Sequence, residues 1–239
     1  MTNFMSNFFS HIAHIFTVVV TPLLCSLSFA LEPFQANYQV DYNNKPLGVA
    51  TSVLEHANDN AWQYSFSANA GDFIQASSVS LFHVEDGDIK PLSYNRNTKL
   101  FFFNNNNDVT FDQENKQITA KDNKTSHNYP LEDHVYDELN AELQVREDLK
   151  NQQLKDEYLI ASTKGIKSLQ LIQGGNETIT TNAGTFETLK VTMKHDDIDR
   201  QTTFWLAPSL DYIPVKVLHV DDRLSYGLLL NSYQKAKTD

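Results

Sequence analysis

Cysteine is almost absent from this chain of 239 residues, where Cys25 stands alone. One thiol makes no internal disulfide and no set of thiolate metal ligands, so stability has to come from a packed core. Glycine is also scarce, with 8 residues, and its one adjacent pair, Gly174-Gly175, precedes a strand-like run and not a helix. That placement lacks the helix N-terminus a phosphate-cradling loop needs. Basic residues are outnumbered, 19 Lys and Arg against 30 Asp and Glu, for a net charge of −11. Such a balance repels phosphate backbones and anionic lipid surfaces, and no Lys/Arg stripe offsets it, which argues against nucleic acid as a partner.

Charge is missing altogether from residues 1–31. Within them the apolar run Ile15 to Leu24 has the length of a signal-peptide core and is short for a bilayer span. Ser28 and Ala30 are small residues where a signal peptidase reads, so cleavage after Ala30 is expected, although the usual leading Lys or Arg is missing. An uncleaved anchor is the alternative. Lipid attachment at Cys25 is disfavoured because Leu24, not a small residue, precedes it. The reading is a signal peptide over 1–30, no stable membrane span after cleavage, and a single β-barrel-like domain over 33–235.

From Pro33 onward the dominant period is two, the signature of strands with one buried face. Tyr38, Val40 and Tyr42 alternate with polar residues, as do Leu47, Val49, Thr51 and Val53, and then Trp62, Tyr64, Phe66 and Ala68. Turn chemistry separates the runs: Asn43-Asn44-Lys45-Pro46, Asn58-Asp59-Asn60 and Asp86-Gly87-Asp88. The run Asn104 to Asn107 reads as a hairpin tip, and Gly174-Gly175-Asn176 and Asn182-Ala183-Gly184 as further turns. These signals predict an all-β chain, an antiparallel meander forming a barrel or strongly curved sheet. One segment differs: Val135, Leu139, Leu143, Arg146 and Leu149 fall at helical spacing, with Glu142 four before Arg146. This predicts one amphipathic helix from about Tyr136 to Leu149, packed on the sheet by its apolar stripe and closing an open barrel mouth.

The segments "TNAGTFETLKV" (181–191) and "RQTTFWLAPSLDYIPVKV" (200–217) resemble the C-terminal half of an uncharacterised exported bacterial family, domain of unknown function 3108. "YQVDYNNKPLGVATSVL", "FHVEDGDIKPLSY" and the acidic "DELNAELQVREDL" are similar to that family's order of elements, over nearly all of the chain past the leader. The resemblance implies export to the envelope of a Gram-negative bacterium, with the periplasm as location, and a barrel-like domain with no activity to carry over. The strand, Pro-turn, strand unit also resembles, more faintly, the curved half-barrels of periplasmic lipoprotein carriers, an analogy of fold alone.

Motifs of catalysis are missing: there is no G-x-S-x-G elbow and no H-E-x-x-H, and no catalytic residue or cofactor is assigned. His195, Asp196, Asp197 and Asp199 could offer imidazole and oxygen ligands to a divalent cation, but read more simply as a solvated hairpin tip. The aromatic signal is stronger. Phe101-Phe102-Phe103 and Phe204-Trp205-Leu206 put apolar side chains on both faces of a strand, so something besides one core must cover them. The helix or a terminal segment could do so, as could an apolar ligand or a partner protein. The leading functional reading is non-catalytic binding of an apolar or amphiphilic envelope molecule, with Trp62, Tyr64, Phe66, Phe102, Trp205 and Tyr212 as candidate lining residues. A docking protein that engages an envelope component through a strand edge comes second, and a hydrolase third.

Overall fold

The computed structural model describes residues 31–235 apart from 59, 72–73, 86–87, 101–102, 196, 198 and 223. The predicted signal peptide, Cys25, Phe101, Phe102 and Asp196 lie outside the described residues. Period-two alternation becomes the strands β1 (Phe34–Tyr42), β2 (Lys45–Asn58), β3 (Ala61–Ala70), β4 (Ile74–Glu85), β5 (Asp88–Leu100), β6 (Phe103–Asp112), β7 (Gln117–Lys121) and β8 (Ser126–Pro130). After the two-residue β9 (Val135–Tyr136) comes the helix α1 (Glu138–Lys150). The second half supplies β10 (Glu157–Ser162), β11 (Gly165–Thr181), β12 (Gly184–Lys194), β13 (Arg200–Ala207), β14 (Ile213–Asp221) and β15 (Leu224–Lys235).

Among the described residues 15 strands form one sheet, in the order β8 to β1, then β15 down to β9. Consecutive strands pair with each other except β8 and β9, which fall at opposite edges, and the two runs meet where β1 pairs with β15 at the middle. The pairings are antiparallel apart from β9 with β10. The sheet is therefore two meanders joined back to back, and it does not close into a ladder: β8 ends one edge and β9 the other. It curls until the edges approach, where the Tyr129 hydroxyl of β8 donates to the Ser162 carbonyl of β10 at 2.7 Å.

The turns show why the meander folds locally. Asn43 and Asn44 both take positive φ, 47° and 60°, and join Tyr42 to Lys45 in a two-residue hairpin, the twist-matched geometry that Asn tolerates. Two expected turns are strand instead. Asn104 to Asn107 pair with Lys99 to Arg96 inside the β5–β6 ladder, which ends on the pair Leu100 and Phe103. Their amides make this tolerable, with Asn106 donating to Asp108 at 2.8 Å and Asn123 donating to the Asn104 carbonyl at 2.6 Å. Gly174-Gly175 forms a bulge within the 17-residue β11, where the register with β12 slips between Gln173 and Asn176. The bulge bends the β11–β12 hairpin across β14 and β15, where Asn182 donates to Asn231 at 3.0 Å.

The helix departs most from expectation. It starts at Glu138 rather than Tyr136, and it lies inside the curl instead of capping a mouth: ten of its residues are buried, Arg146, Glu147 and Asp148 among them. It packs against β3, β4, β5, β9 and β10. Small residues on the concave face, Ala36, Ala50, Ser52 and Ser80, are almost completely buried. Larger side chains complete the core around them: Phe34, Leu54, Phe82, Ile118, Leu143 and Val215. Among the described residues, no helix is long and apolar enough to cross a membrane.

Gly48 marks a close approach between strands, because a Cβ there would sit 2.1 Å from the Asn69 carbonyl oxygen. Backbone, not a movable side chain, blocks that position. Gly48→Ala is expected to lower stability by about 1–3 kcal/mol, read as a fall in the urea midpoint at unchanged m-value.

Candidate functional site

Enclosing α1 puts carboxylates where water is scarce, and the surrounding strands answer with hydroxyls. Asp137, fully buried, caps the helix by accepting from the Leu139 and Asn140 backbone N–H groups, both at 2.9 Å. Its second oxygen accepts from Ser80 of β4 at 2.7 Å and from the Asn140 amide at 2.8 Å. Glu138, which stays exposed, accepts from Tyr94 at 3.0 Å and pairs with Arg96 at 2.8 Å, both on β5. Tyr64 of β3 donates to Glu142 at 2.7 Å, and Tyr158 of β10 donates to Asp148 at 2.7 Å. Burial drives the proton affinity of Tyr64, Tyr94 and Tyr158 well above the usual phenol range, so these hydroxyls stay protonated donors.

Between α1 and the second half of the sheet lies a half-open cavity of about 140 Å³. Val145 of the helix and Leu169, Leu171, Val191, Met193, Phe204, Leu206 and Pro214 of β11 to β14 supply its apolar wall. Three charged residues one helical turn apart, Glu138, Glu142 and Arg146, line the helix side. Glu142 keeps a third of its side-chain surface open there, and burial raises its proton affinity against the opposing pull of Arg146 and the Tyr64 hydrogen bond. Arg146 is 6% exposed. Its Nε donates to the Asp211 carbonyl at 3.0 Å, and its guanidinium lies 5.0 Å from the centre of the Phe34 ring.

Of the six residues expected to line a pocket, Phe102 lies outside the described residues and the other five are not on this wall. Tyr64 comes nearest, reaching it through Glu142. Trp62 is half-buried and stacks on His56 with ring centres 3.8 Å apart, and Phe66 is half-buried against the core. Trp205 faces the other side of β13, where its indole N–H donates to Glu177 at 2.8 Å and Lys216 lies over the ring at 4.4 Å. Its neighbour Phe204 takes the cavity side, as alternation along a strand requires. Tyr212 packs at the core's margin with φ 58°. The signal that could have found the wall is the shared parity of Phe204 with Leu206, together with the Glu142-to-Arg146 spacing on the helix.

At the cation candidates, His195 Nε2 and His219 Nδ1 both bond the Thr202 hydroxyl, at 2.9 and 2.7 Å. Asp197 spends an oxygen on the Asp199 backbone N–H at 3.1 Å. Among the described residues, no three His, Cys, Asp or Glu side chains are grouped to hold a metal ion.

The fully buried cap makes a pH prediction. Burial, partly offset by the Ser80 and backbone hydrogen bonds, raises the Asp137 pKa from 3.8 to about 6. The folded state therefore holds this proton more tightly than the unfolded chain, and its contribution to stability falls as pH rises from about 4 to 6, by ~3 kcal/mol in all. Asp137→Asn keeps an acceptor for the helix N–H groups, and its new amide can donate to Asn140 Oδ1, which has no partner. The stability difference between wild type and Asp137→Asn, from urea unfolding at pH 4, 5, 6 and 7, should shift in the variant's favour as pH rises. A pH-independent difference would refute the buried-acid account.

The chain belongs to the family described as "Protein of unknown function (DUF3108)", which matches residues 37–222. No curated protein matches it. Among solved structures it is similar to a beta-barrel-like protein of domain of unknown function DUF1849 from Brucella abortus. That likeness has a TM-score of 0.56 at 9% identity and covers 87% of this chain and 99% of the other. It shows the fold alone. A Bacteroides fragilis protein described as exported, with a YmcC-like fold, aligns at a TM-score of 0.36 and 10% identity over 86% of this chain and 97% of its own. A Parabacteroides distasonis protein described as a lipoprotein aligns at 0.35 and 12% identity over 85% and 96%.

Proposed function

We propose that this protein is exported to the bacterial envelope and binds, without catalysis, an apolar or amphiphilic molecule in the cavity between α1 and β11 to β14. The observation that carries the reading is the wall itself: apolar side chains from four strands converge on a helix that presents charge on the same opening. Such a site suits a molecule with one apolar end and one polar end. Its volume of about 140 Å³ is close to that of a cavity able to take benzene, and below the usual range for drug-sized ligands. The enclosed part of the ligand is accordingly a ring or a short stretch of acyl chain, with the remainder running out through the open side. Export is supported by the charge-free run over residues 1–31, and the periplasm is the compartment the reading implies.

A second reading, docking through a strand edge, is favoured by β8, which ends the sheet and has four of its five residues exposed.

The deciding experiment is native mass spectrometry of protein isolated gently from cells expressing the full chain, followed by solvent extraction and lipid analysis. A stoichiometric amphiphile is expected. Met193→Trp, which places a larger side chain on the wall of the void, should lower its occupancy at least tenfold while circular dichroism stays unchanged. A ligand-free mass, or full occupancy in Met193→Trp, would reject the cavity reading, and the ligand-free mass would move the case to β8.

A further inference from the structure

We infer that the molecule held in this cavity carries an anionic oxygen group, a carboxylate or a phosphate monoester, seated on Arg146; the inference rests on the binding function proposed above. Arg146 is a permanent cation that is 6% exposed. Among the described residues its Nη1 has no hydrogen-bond acceptor. The nearest carboxylate oxygen, Glu142 Oε1, stands 3.9 Å away, beyond hydrogen-bonding distance, and already accepts from Tyr64 at 2.7 Å. Besides the long ion pair to Glu142, the guanidinium has one backbone carbonyl and one ring face as close partners. A cation taken out of water with so few acceptors is held at a cost, and a second acceptor reaching it through the cavity lowers that cost.

The other polar groups favour an anion over a cation. Glu138 is already engaged by Arg96 at 2.8 Å and by Tyr94 at 3.0 Å. Glu142 has a donor in Tyr64, and its proton affinity is raised by burial, which weakens it as a rival for Arg146. An ammonium head would meet the Arg146 charge beside carboxylates that already have donors, Tyr64 on Glu142 and Tyr94 with Arg96 on Glu138. A carboxylate or phosphate would gain short, charge-assisted bonds from the guanidinium while its chain lies on Leu171, Met193 and Phe204.

The test uses four eight-carbon probes that differ only at the head: octanoate, octyl phosphate, octylamine and 1-octanol. Each is titrated calorimetrically at 150 mM salt into protein made from the full chain and stripped of co-purified lipid. The expected result is that the two anions bind at least tenfold more tightly than 1-octanol, and octylamine more weakly than the anions. Arg146→Gln should erase the preference and leave 1-octanol binding in place. Should that variant not fold, Glu142→Gln decides: removing the competing carboxylate should tighten octanoate severalfold, and no change or weakening would count against the inference. Equal binding of all heads, or octylamine binding best, overturns the anion assignment while the cavity reading stands. Silence from all four probes brings down both.

Discussion

Everything in this structure is arranged around an acidic helix shut inside a curled sheet. A buried carboxylate is tolerated only if its oxygens find donors, and β3, β4, β5 and β10 supply them. Ser80, Tyr64, Tyr94 and Arg96 meet Asp137, Glu142 and Glu138 from the first meander, and Tyr158 meets Asp148 from the second. Each bond adds only about 1 kcal/mol net, yet losing a partner would strand a buried charge at greater cost. The polar ties therefore act less as glue than as a template: they are satisfied together only when the sheet has curled to the observed degree. The small side chains of Ala36, Ala50 and Ser52 make the room that this curvature needs.

The same arrangement explains how a wall can be apolar on both sides. The first meander alternates conventionally, with Ala50, Ser52 and Leu54 inside while Val49 is 65% exposed. In the second meander the β11 bulge folds a hairpin over β14 and β15, so the outward side of β13 is also covered and Trp205 is buried there by Glu177 and Lys216. The inward side faces the helix, but α1 touches β10 and the first meander more closely than β12 and β13. The cavity is the space that remains, its strand side apolar because those strands are built as core and its helix side charged because α1 is.

Local signals were legible wherever the chain settles its geometry with near neighbours. Asn43-Asn44 reads as a hairpin because both residues tolerate positive φ, and the helix between residues 135 and 150 reads from its 3.6 period. Asn104 to Asn107 misled because isolated asparagines favour turns, whereas here cross-strand and in-strand amide bonds hold them in the ladder. Gly174-Gly175 misled for a related reason: two glycines permit a reversal, but long-range pairing to β12 on both sides turns them into a bulge. Trp205 drew attention by size, while the cavity belongs to Phe204, since which side of β13 faces the helix is not encoded in the strand itself.

The amino-acid sequence alone determined the class of fold, its antiparallel meander, the presence of a single acidic helix and the charge-free opening segment, because each depends on periods and compositions spanning a few neighbouring residues. Tertiary structure decided that the helix lies within the sheet, that Arg146 is buried with an unfilled donor, and that Met193, Phe204 and Leu171 share a wall with it. Those facts depend on how far the sheet curls and on which edges meet. Curvature is the summed result of bulges, small side chains and paired carboxylates far apart in the chain, so no single stretch of residues contains it.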